Sequence, residues 1–80
     1  MYELYYTEEF KKDAKKLDGS MQARLKKAIE KIMQTPTRFK HLEHGVDRYR
    51  VRFDVYRILY TVNGNRVELI RVGKRDLVYD

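Results

Sequence analysis

The fold of this chain is decided by residues 48–72, which read RYRVRFDVYRILYTVNGNRVELIRV. At the start of this stretch two sets of side chains alternate, with Tyr49, Val51 and Phe53 in the apolar set and Arg48, Arg50 and Arg52 in the basic set. A period of two is typical of a β-strand with one buried face. The pattern therefore predicts a strand whose apolar side chains face a core and whose arginines face away from it.

Two further strands are predicted in the same stretch. Alternation continues from about Val55 to Val62, and Asn63-Gly64 is a strong signal for a type I′ hairpin turn. The strand expected over 66–72 has apolar residues on both faces, as an interior strand would have. The turn before the second strand is less favourable, because a β-branched Val55 tolerates a positive φ poorly.

The residues upstream have a helical period instead. Residues 2–6 are predicted to form a short aromatic strand, and Thr7 can cap a first helix that ends at Gly19. Asp18 or Ser20 can cap a second helix, which Pro36 closes. The apolar stripes are Phe10, Ala14 and Leu17 on the first helix, and Met21, Leu25, Ala28, Ile29, Ile32 and Met33 on the second. We expect a helical hairpin over 7–35 and a loop over 36–47.

Together these elements predict an α+β fold in the order β-α-α-β-β-β. The sheet is expected to be mostly antiparallel, with the helices on one face. Eighty residues suffice for one domain, so we expect residues 1–80 to form a single domain. There is no cysteine, which excludes a disulfide framework, and no apolar run approaches the roughly 20 residues of a membrane span. We therefore expect a cytoplasmic protein that has no membrane contact.

The positive charge is concentrated in the second half of the chain. Residues 1–47 contain ten basic and eight acidic side chains, whereas residues 48–80 contain eight basic and four acidic ones. Seven of those last eight are arginine, the exception being Lys74. Arginine binds phosphate oxygens bidentately and stacks on bases, so this half is predicted to face phosphate.

If the alternation holds, one face of the sheet carries Arg50, Arg52 and Arg57. The C-terminal segment could add Arg75 and Tyr79, which would gather four guanidinium groups and a phenol in one place. Clustered donors of this kind suit RNA, because arginine binds phosphate and tyrosine stacks on an unpaired base. Arginines alternating with apolar residues are also typical of any solvent-facing strand, and the pattern alone does not separate the two interpretations.

The same residues resemble a known family. The segments Tyr49-Arg50-Val51-Arg52, Tyr56-Arg57-Ile58-Leu59-Tyr60, Val72-Gly73-Lys74-Arg75 and Val78-Tyr79 look like the signature of the RelE/ParE toxin superfamily. The upstream order of strand, helical hairpin and loop is similar as well, so the resemblance covers essentially the whole chain.

The resemblance implies an activity and a set of site residues. RelE-like toxins cleave mRNA in the ribosomal A site by attack of the RNA 2′-hydroxyl on the adjacent phosphate, without metal or cofactor. The family's catalytic positions fall on Arg50, Arg52, Arg57, Arg75 and Tyr79, and we expect Arg48 and Lys74 to assist RNA binding. Relatives have lysine where this chain has Arg50 and Arg52, and arginine does not deprotonate, so the general base is left to Tyr79 first and Lys74 second.

The family also implies partners and two rival functions. We expect a small cognate antitoxin, the ribosome and mRNA as partners, with DNA reached only through the antitoxin. One rival is a ParE-like toxin, a non-enzymatic inhibitor of DNA gyrase. The other is an inert homologue that binds only its antitoxin.

A histidine pair is the remaining candidate site. His41 and His44 form an H-x-x-H motif, but the sequence offers no third ligand nearby. We therefore expect two exposed loop histidines and no metal site.

Overall fold

The computed structural model describes residues 1–38, 40–42 and 48–74. In chain order the elements are β1 (Glu3–Tyr6), α1 (Glu8–Lys15), α2 (Gly19–Gln34), a short 3-10 helix (Pro36–Arg38), β2 (Lys40–Leu42), β3 (Arg48–Phe53), β4 (Tyr56–Asn63) and β5 (Arg66–Lys74). The strands form one sheet in the order β1-β5-β4-β3-β2. Among the strands of the described residues β1 and β5 are the one parallel pair, so the expected α+β fold with a mostly antiparallel sheet is confirmed.

Both helices contribute to one apolar core on one face of the sheet. Helical and sheet side chains form a single cluster: Phe10, Leu17, Leu25, Ala28 and Ile32 with Tyr49, Ile58, Tyr60, Val62, Val67, Leu69 and Val72. Tyr60 is fully buried, and its hydroxyl donates a 2.5 Å hydrogen bond to the carbonyl of Pro36. Burial raises the pKa of Tyr60 above its ordinary value, and the neighbouring Tyr49 adds to the rise. This phenol is therefore a structural group that anchors the chain just after α2.

Local signals place the helix ends, with one correction. Thr7 caps α1 as expected, since its side chain accepts from the backbone N–H of Phe10 at 3.0 Å. The first helix was expected to end at Gly19, which was wrong, because it ends at Lys15. Asp18 accepts from the N–H of Met21 at 2.8 Å, which makes Asp18 the N-cap and Gly19 the first residue of α2.

The segment expected to be a loop over 36–47 is partly regular. It contains the 3-10 helix and β2, which pairs antiparallel with β3. His41 therefore lies in a strand, opposite Tyr49, and not in a loop, while His44 lies outside the described residues. Three residues are too few for alternation to be visible, so the pairing depends on the backbone edge that β3 offers.

Both hairpin turns place the positive φ on their first central residue. Asn63 pairs with Arg66, so the central residues are Gly64 and Asn65, with φ of 63° on Gly64 and no positive φ on Asn65. This is the pattern of a type II′ turn, so the expected type I′ turn centred on Asn63-Gly64 was one residue out of register. In the other hairpin Asp54 adopts φ of 55°, a conformation that aspartate tolerates better than Val55 would.

A bulge in β5 fastens α1 to the sheet. Leu59 of β4 pairs with Arg71 while the next residue, Tyr60, pairs with Leu69, which leaves Ile70 as an extra residue. The Thr7 hydroxyl donates to the carbonyl of Ile70 at 2.7 Å. Beyond the end of β1, α1 therefore takes over as the neighbour of β5.

Asp13 completes this attachment from the next turns of α1. Its side chain is buried and accepts from Arg71 Nε at 2.7 Å, from Arg71 Nη2 at 3.1 Å and from the backbone N–H of Val72 at 3.2 Å. The hydrogen bond with Asp13 raises the pKa of Arg71 above its ordinary value. One carboxylate thus satisfies both a guanidinium and a backbone donor at the edge of the sheet.

We predict that Asp13→Ala lowers the free energy of unfolding by about 2–3 kcal/mol, because it leaves a half-buried guanidinium and a buried N–H without an acceptor. Urea unfolding measures the change. Glu8→Ala is the matched control on the same helix, since its exposed ion pair with Lys11 at 3.4 Å and its position in the first turn are together worth about 1 kcal/mol or less. Equal losses in the two variants would contradict the structural role assigned to Asp13.

Candidate functional site

The face of the sheet opposite the helices carries four arginines, which we call the arginine face: Arg48, Arg50, Arg52 and Arg57. The first three are alternate residues of β3, and their strand neighbours Tyr49, Val51 and Phe53 pack against or within the core. Arg57 of β4 lies directly opposite Arg52. The expected alternation is thus confirmed: the arginines share one face of the sheet and the apolar residues share the other.

These arginines differ in exposure. Arg50 and Arg57 are half-buried, whereas Arg48 and Arg52 are exposed. Like charges directly opposite one another destabilise a sheet by a few tenths of a kcal/mol per pair. The register brings Arg52 and Arg57 together in this way, and a bound anion would offset the repulsion between them. Phosphate oxygens are the anions that such planar donors bind best.

An apolar residue lies in the middle of the arginine face. Leu59 is opposite Arg50 on one side and Arg71 on the other, and it is 8% exposed although it is not part of the core beneath the helices. A low-dielectric neighbour strengthens the interaction of a guanidinium with a bound anion. Sequence reasoning did not name Leu59 as a member of this face, although the alternation that places Arg57 here places Leu59 here as well.

Arg71 shares the face by register but has a different role. Its guanidinium is bound bidentately by Asp13, so its charge is already matched within the protein. By contrast, the ordered partner of Arg52 is neutral, since its Nε donates to the carbonyl of Asp54 at 3.4 Å. The arginine face proper therefore excludes Arg71.

The structure does not bring every candidate residue to this face. Lys74 pairs with Tyr56, and it borders a small cleft with Asp13 and Lys16 on the helix side of the sheet. Gly73 is the residue opposite Arg57. Arg75 and Tyr79 lie outside the described residues. The expected grouping thus holds for Arg48, Arg50, Arg52 and Arg57, whereas Lys74 is on the other side.

The chemistry of the described site is that of fixed positive charge. Arginine remains protonated, so these side chains can bind and stabilise phosphate but cannot accept a proton. Among the residues that the structure describes, no three acidic or histidine side chains are grouped as metal ligands would be. No helix within the described ranges is long and apolar enough to cross a membrane.

Comparison with known proteins relates this architecture to bacterial and archaeal toxins. RelE in the intact RelBE toxin–antitoxin complex of E. coli is 29% identical to this chain, and the match covers 92% of this chain and 96% of that one with a TM-score of 0.80. The RelB–RelE antitoxin–toxin complex of Methanococcus jannaschii matches at 29% identity, with 95% of this chain and 95% of that chain covered and a TM-score of 0.75. The RelBE2 toxin–antitoxin complex of Mycobacterium tuberculosis matches at 25% identity, with 92% of this chain and 98% of that chain covered and a TM-score of 0.80.

Sequence comparison assigns the family. Curated protein sequences gave no significant match. The profile of the family described as ParE toxin of type II toxin-antitoxin system, parDE, matches residues 4–79. That match spans nearly the whole chain, and the fold agrees with RelE toxins over nine-tenths of its length. The chain therefore belongs to the ParE toxin family of the RelE/ParE superfamily, the toxins of type II toxin–antitoxin systems.

Proposed function

We propose that this toxin is a ribosome-dependent mRNA endoribonuclease that cleaves without metal. The observation that carries the proposal is the close group of Arg50, Arg52 and Arg57, in which Arg52 and Arg57 are directly opposite on neighbouring strands. Guanidinium groups gathered on one face of a sheet suit a phosphodiester, because arginine binds phosphate oxygens bidentately. We further propose that residues 1–80 act as one toxin domain in the cytoplasm, where mRNA is translated.

The reaction assigned to the site is an internal transfer at phosphorus. The RNA 2′-hydroxyl loses its proton to a base and attacks the adjacent phosphate, the bond to the 5′-oxygen breaks, and that oxygen leaves with a proton. Arg50 and Arg52 hold the phosphate, and Arg57 stabilises the negative charge that develops on its oxygens. Such catalysis is chiefly electrostatic, and it suits donors that are fixed on a rigid sheet.

The proton transfers are assigned to the C-terminal segment. Arg75 neutralises the leaving oxygen, and Tyr79 is the preferred base. Lys74, the second choice as base, is disfavoured because its pairing with Tyr56 puts it on the side of the sheet opposite Arg57.

A cognate antitoxin is proposed as the regulatory partner. The E. coli and Methanococcus jannaschii relatives were crystallised with their RelB antitoxins. An acidic antitoxin that covered the arginine face would neutralise the charge of that face. An antitoxin that covered the helical hairpin would block the approach of the toxin to the ribosome. Any contact with DNA is assigned to the antitoxin.

A ParE-like inhibitor of DNA gyrase is the second candidate, and the family profile favours it. Such a toxin needs no catalytic set, so the four clustered arginines would serve as a binding surface. A homologue that binds only its antitoxin is the third possibility, and it predicts neither cleavage nor gyrase inhibition.

We predict that Arg57→Ala reduces single-turnover cleavage of ribosome-bound mRNA by about 10²–10³-fold, or about 3–4 kcal/mol, because it removes a donor used mainly in the transition state. Ribosome binding, measured on the same samples, should fall much less. Arg66→Ala is the matched control, since this exposed arginine stacks on the ring of Tyr5 at 3.9 Å at the other end of β5. Equal losses of binding and cleavage in Arg57→Ala would reduce Arg57 to a binding residue.

We also predict a steep dependence of RNA or ribosome binding on salt. Each phosphate contact with a single strand contributes about 0.7 to the slope of log K against log salt concentration. Arg50→Gln and Arg52→Gln should flatten that slope more than Arg48→Gln, since Arg48 lies at the end of the group. Binding that does not change with salt, or equal effects at all three positions, would argue against phosphate binding on this face.

The role of the C-terminal tyrosine is tested by Tyr79→Phe, which removes only the hydroxyl. Stacking on a base should survive, so binding should persist while cleavage is lost. Tyr2→Phe is the control: it removes a hydroxyl from the residue just before β1 and should leave cleavage unchanged. Cleavage at the wild-type rate in Tyr79→Phe would mean that another group is the base.

A further inference from the structure

A second basic feature lies where the arginine face meets α2. A cleft of about 330 Å³ opens between this helix and β3. Its basic lining residues on the helix are Arg24, Lys27 and Lys31, which follow the i, i+3, i+7 spacing of one helical face. Arg52 closes the cleft on the sheet side. Four cations therefore surround one small depression.

The cleft exists because the edge of β3 is only partly covered. β2 pairs with Arg48, Tyr49 and Arg50, and within the described residues no strand pairs with the outer edge of 51–53. Val51 and Phe53 line the cleft together with Ala28 of α2. The Phe53 ring also stacks on Tyr56 with its centroid 5.6 Å away, so it is held in place. The cleft thus has an apolar, partly aromatic floor and a basic rim.

Asp54, at the tip of the hairpin between β3 and β4, binds two of the arginines that line the cleft. Its carboxylate binds Arg24 Nη1 at 2.9 Å, and its carbonyl accepts from Arg52 Nε at 3.4 Å. The carboxylate offsets the charge of Arg24 and leaves Arg52, Lys27 and Lys31 as the net positive charge. Neither lysine has an ion-pair partner among the described residues.

Arg52 belongs to both features. By register it lies on the arginine face opposite Arg57, and its side chain also borders the cleft. A polyanion bound at Arg57 can therefore continue around the edge of β3 to Lys27 and Lys31 without leaving positive potential. A basic groove with an aromatic floor is the arrangement that binds single-stranded nucleic acid, with phosphates on the cations and a base on the ring.

We propose that the cleft between α2 and β3 is a second RNA subsite, in which a single strand that leaves the arginine face places its phosphates on Lys27 and Lys31 and a base against Phe53. This inference rests on the proposed RNA-binding function and extends it to residues of the helical hairpin. The subsite gives affinity and direction to the strand, and it takes no part in the bond cleavage.

The test is fluorescence anisotropy of a labelled single-stranded RNA with the full chain at several salt concentrations. Lys27→Gln/Lys31→Gln should flatten the slope of log K against log salt concentration by about 1.4, which corresponds to two lost contacts at about 0.7 each. The matched control, Lys12→Gln/Lys15→Gln, removes the same charge from the exposed surface of α1 and should leave the slope unchanged. Phe53→Leu should weaken binding at every salt concentration with no change in slope, since it removes a stacking surface and no charge.

The outcomes separate this inference from the proposed function. If Arg50→Gln flattens the slope while both lysine variants retain the wild-type slope, the subsite is wrong and RNA binding by the arginine face stands. Equal flattening in the two lysine variants would also overturn the subsite, because total charge alone would explain the result. If Lys27→Gln/Lys31→Gln instead lowers inhibition of gyrase and leaves RNA binding intact, the cleft is a protein-docking surface and the inference fails. A wild-type chain that binds no free RNA would overturn the subsite, whereas the proposed function is overturned only if the chain fails to cleave mRNA on ribosomes.

Discussion

The attachment of α1 to the bulged part of β5 is the constraint on which the rest of the structure depends. Thr7 binds the carbonyl of the extra residue, Ile70, and Asp13 binds both Arg71 and the backbone of Val72. Without the bulge, the period of two would place Arg71 on the same side as Val67 and Leu69, inside the core. With it, Val72 enters the core and Arg71 turns toward the sheet edge, where a buried carboxylate meets it. A single irregularity thus keeps a charge out of the apolar layer.

The same register determines what faces the arginines. Because β5 is shifted by one residue after Leu69, Gly73, which has no side chain, lies opposite Arg57. On the other side β3 presents Arg52 to Arg57. The two strands belong to one continuous sheet, which fixes the backbone positions of both arginines. In the proposed function this placement limits the reorganisation needed when charge develops on a phosphate, which is the physical basis of electrostatic catalysis.

Much of this could be predicted from the sequence because the decisive signals are local. Alternation in β3 predicted that Arg50 and Arg52 lie on one face and that Tyr49 and Val51 lie on the other. Helix capping by Thr7 and Asp18 was predictable because it involves only neighbouring residues. Long-range pairing was not predictable in the same way. β2 is too short for a pattern, Lys74 changes sides because of a bulge that only the partner strand reveals, and Asp13 binds residues that are 58 and 59 positions away in the chain. The cleft beside Arg52 likewise depends on how α2 crosses the edge of β3.

The most direct test of the account is the chemistry of the RNA ends that wild-type protein produces on translating ribosomes in the presence of a metal chelator. Attack by the 2′-hydroxyl must leave a 2′,3′-cyclic phosphate on the upstream fragment and a 5′-hydroxyl on the downstream one. We expect those ends at sites within the ribosome-bound message. Intact mRNA together with inhibition of gyrase supercoiling by the same preparation would contradict the account and identify a ParE-like binder.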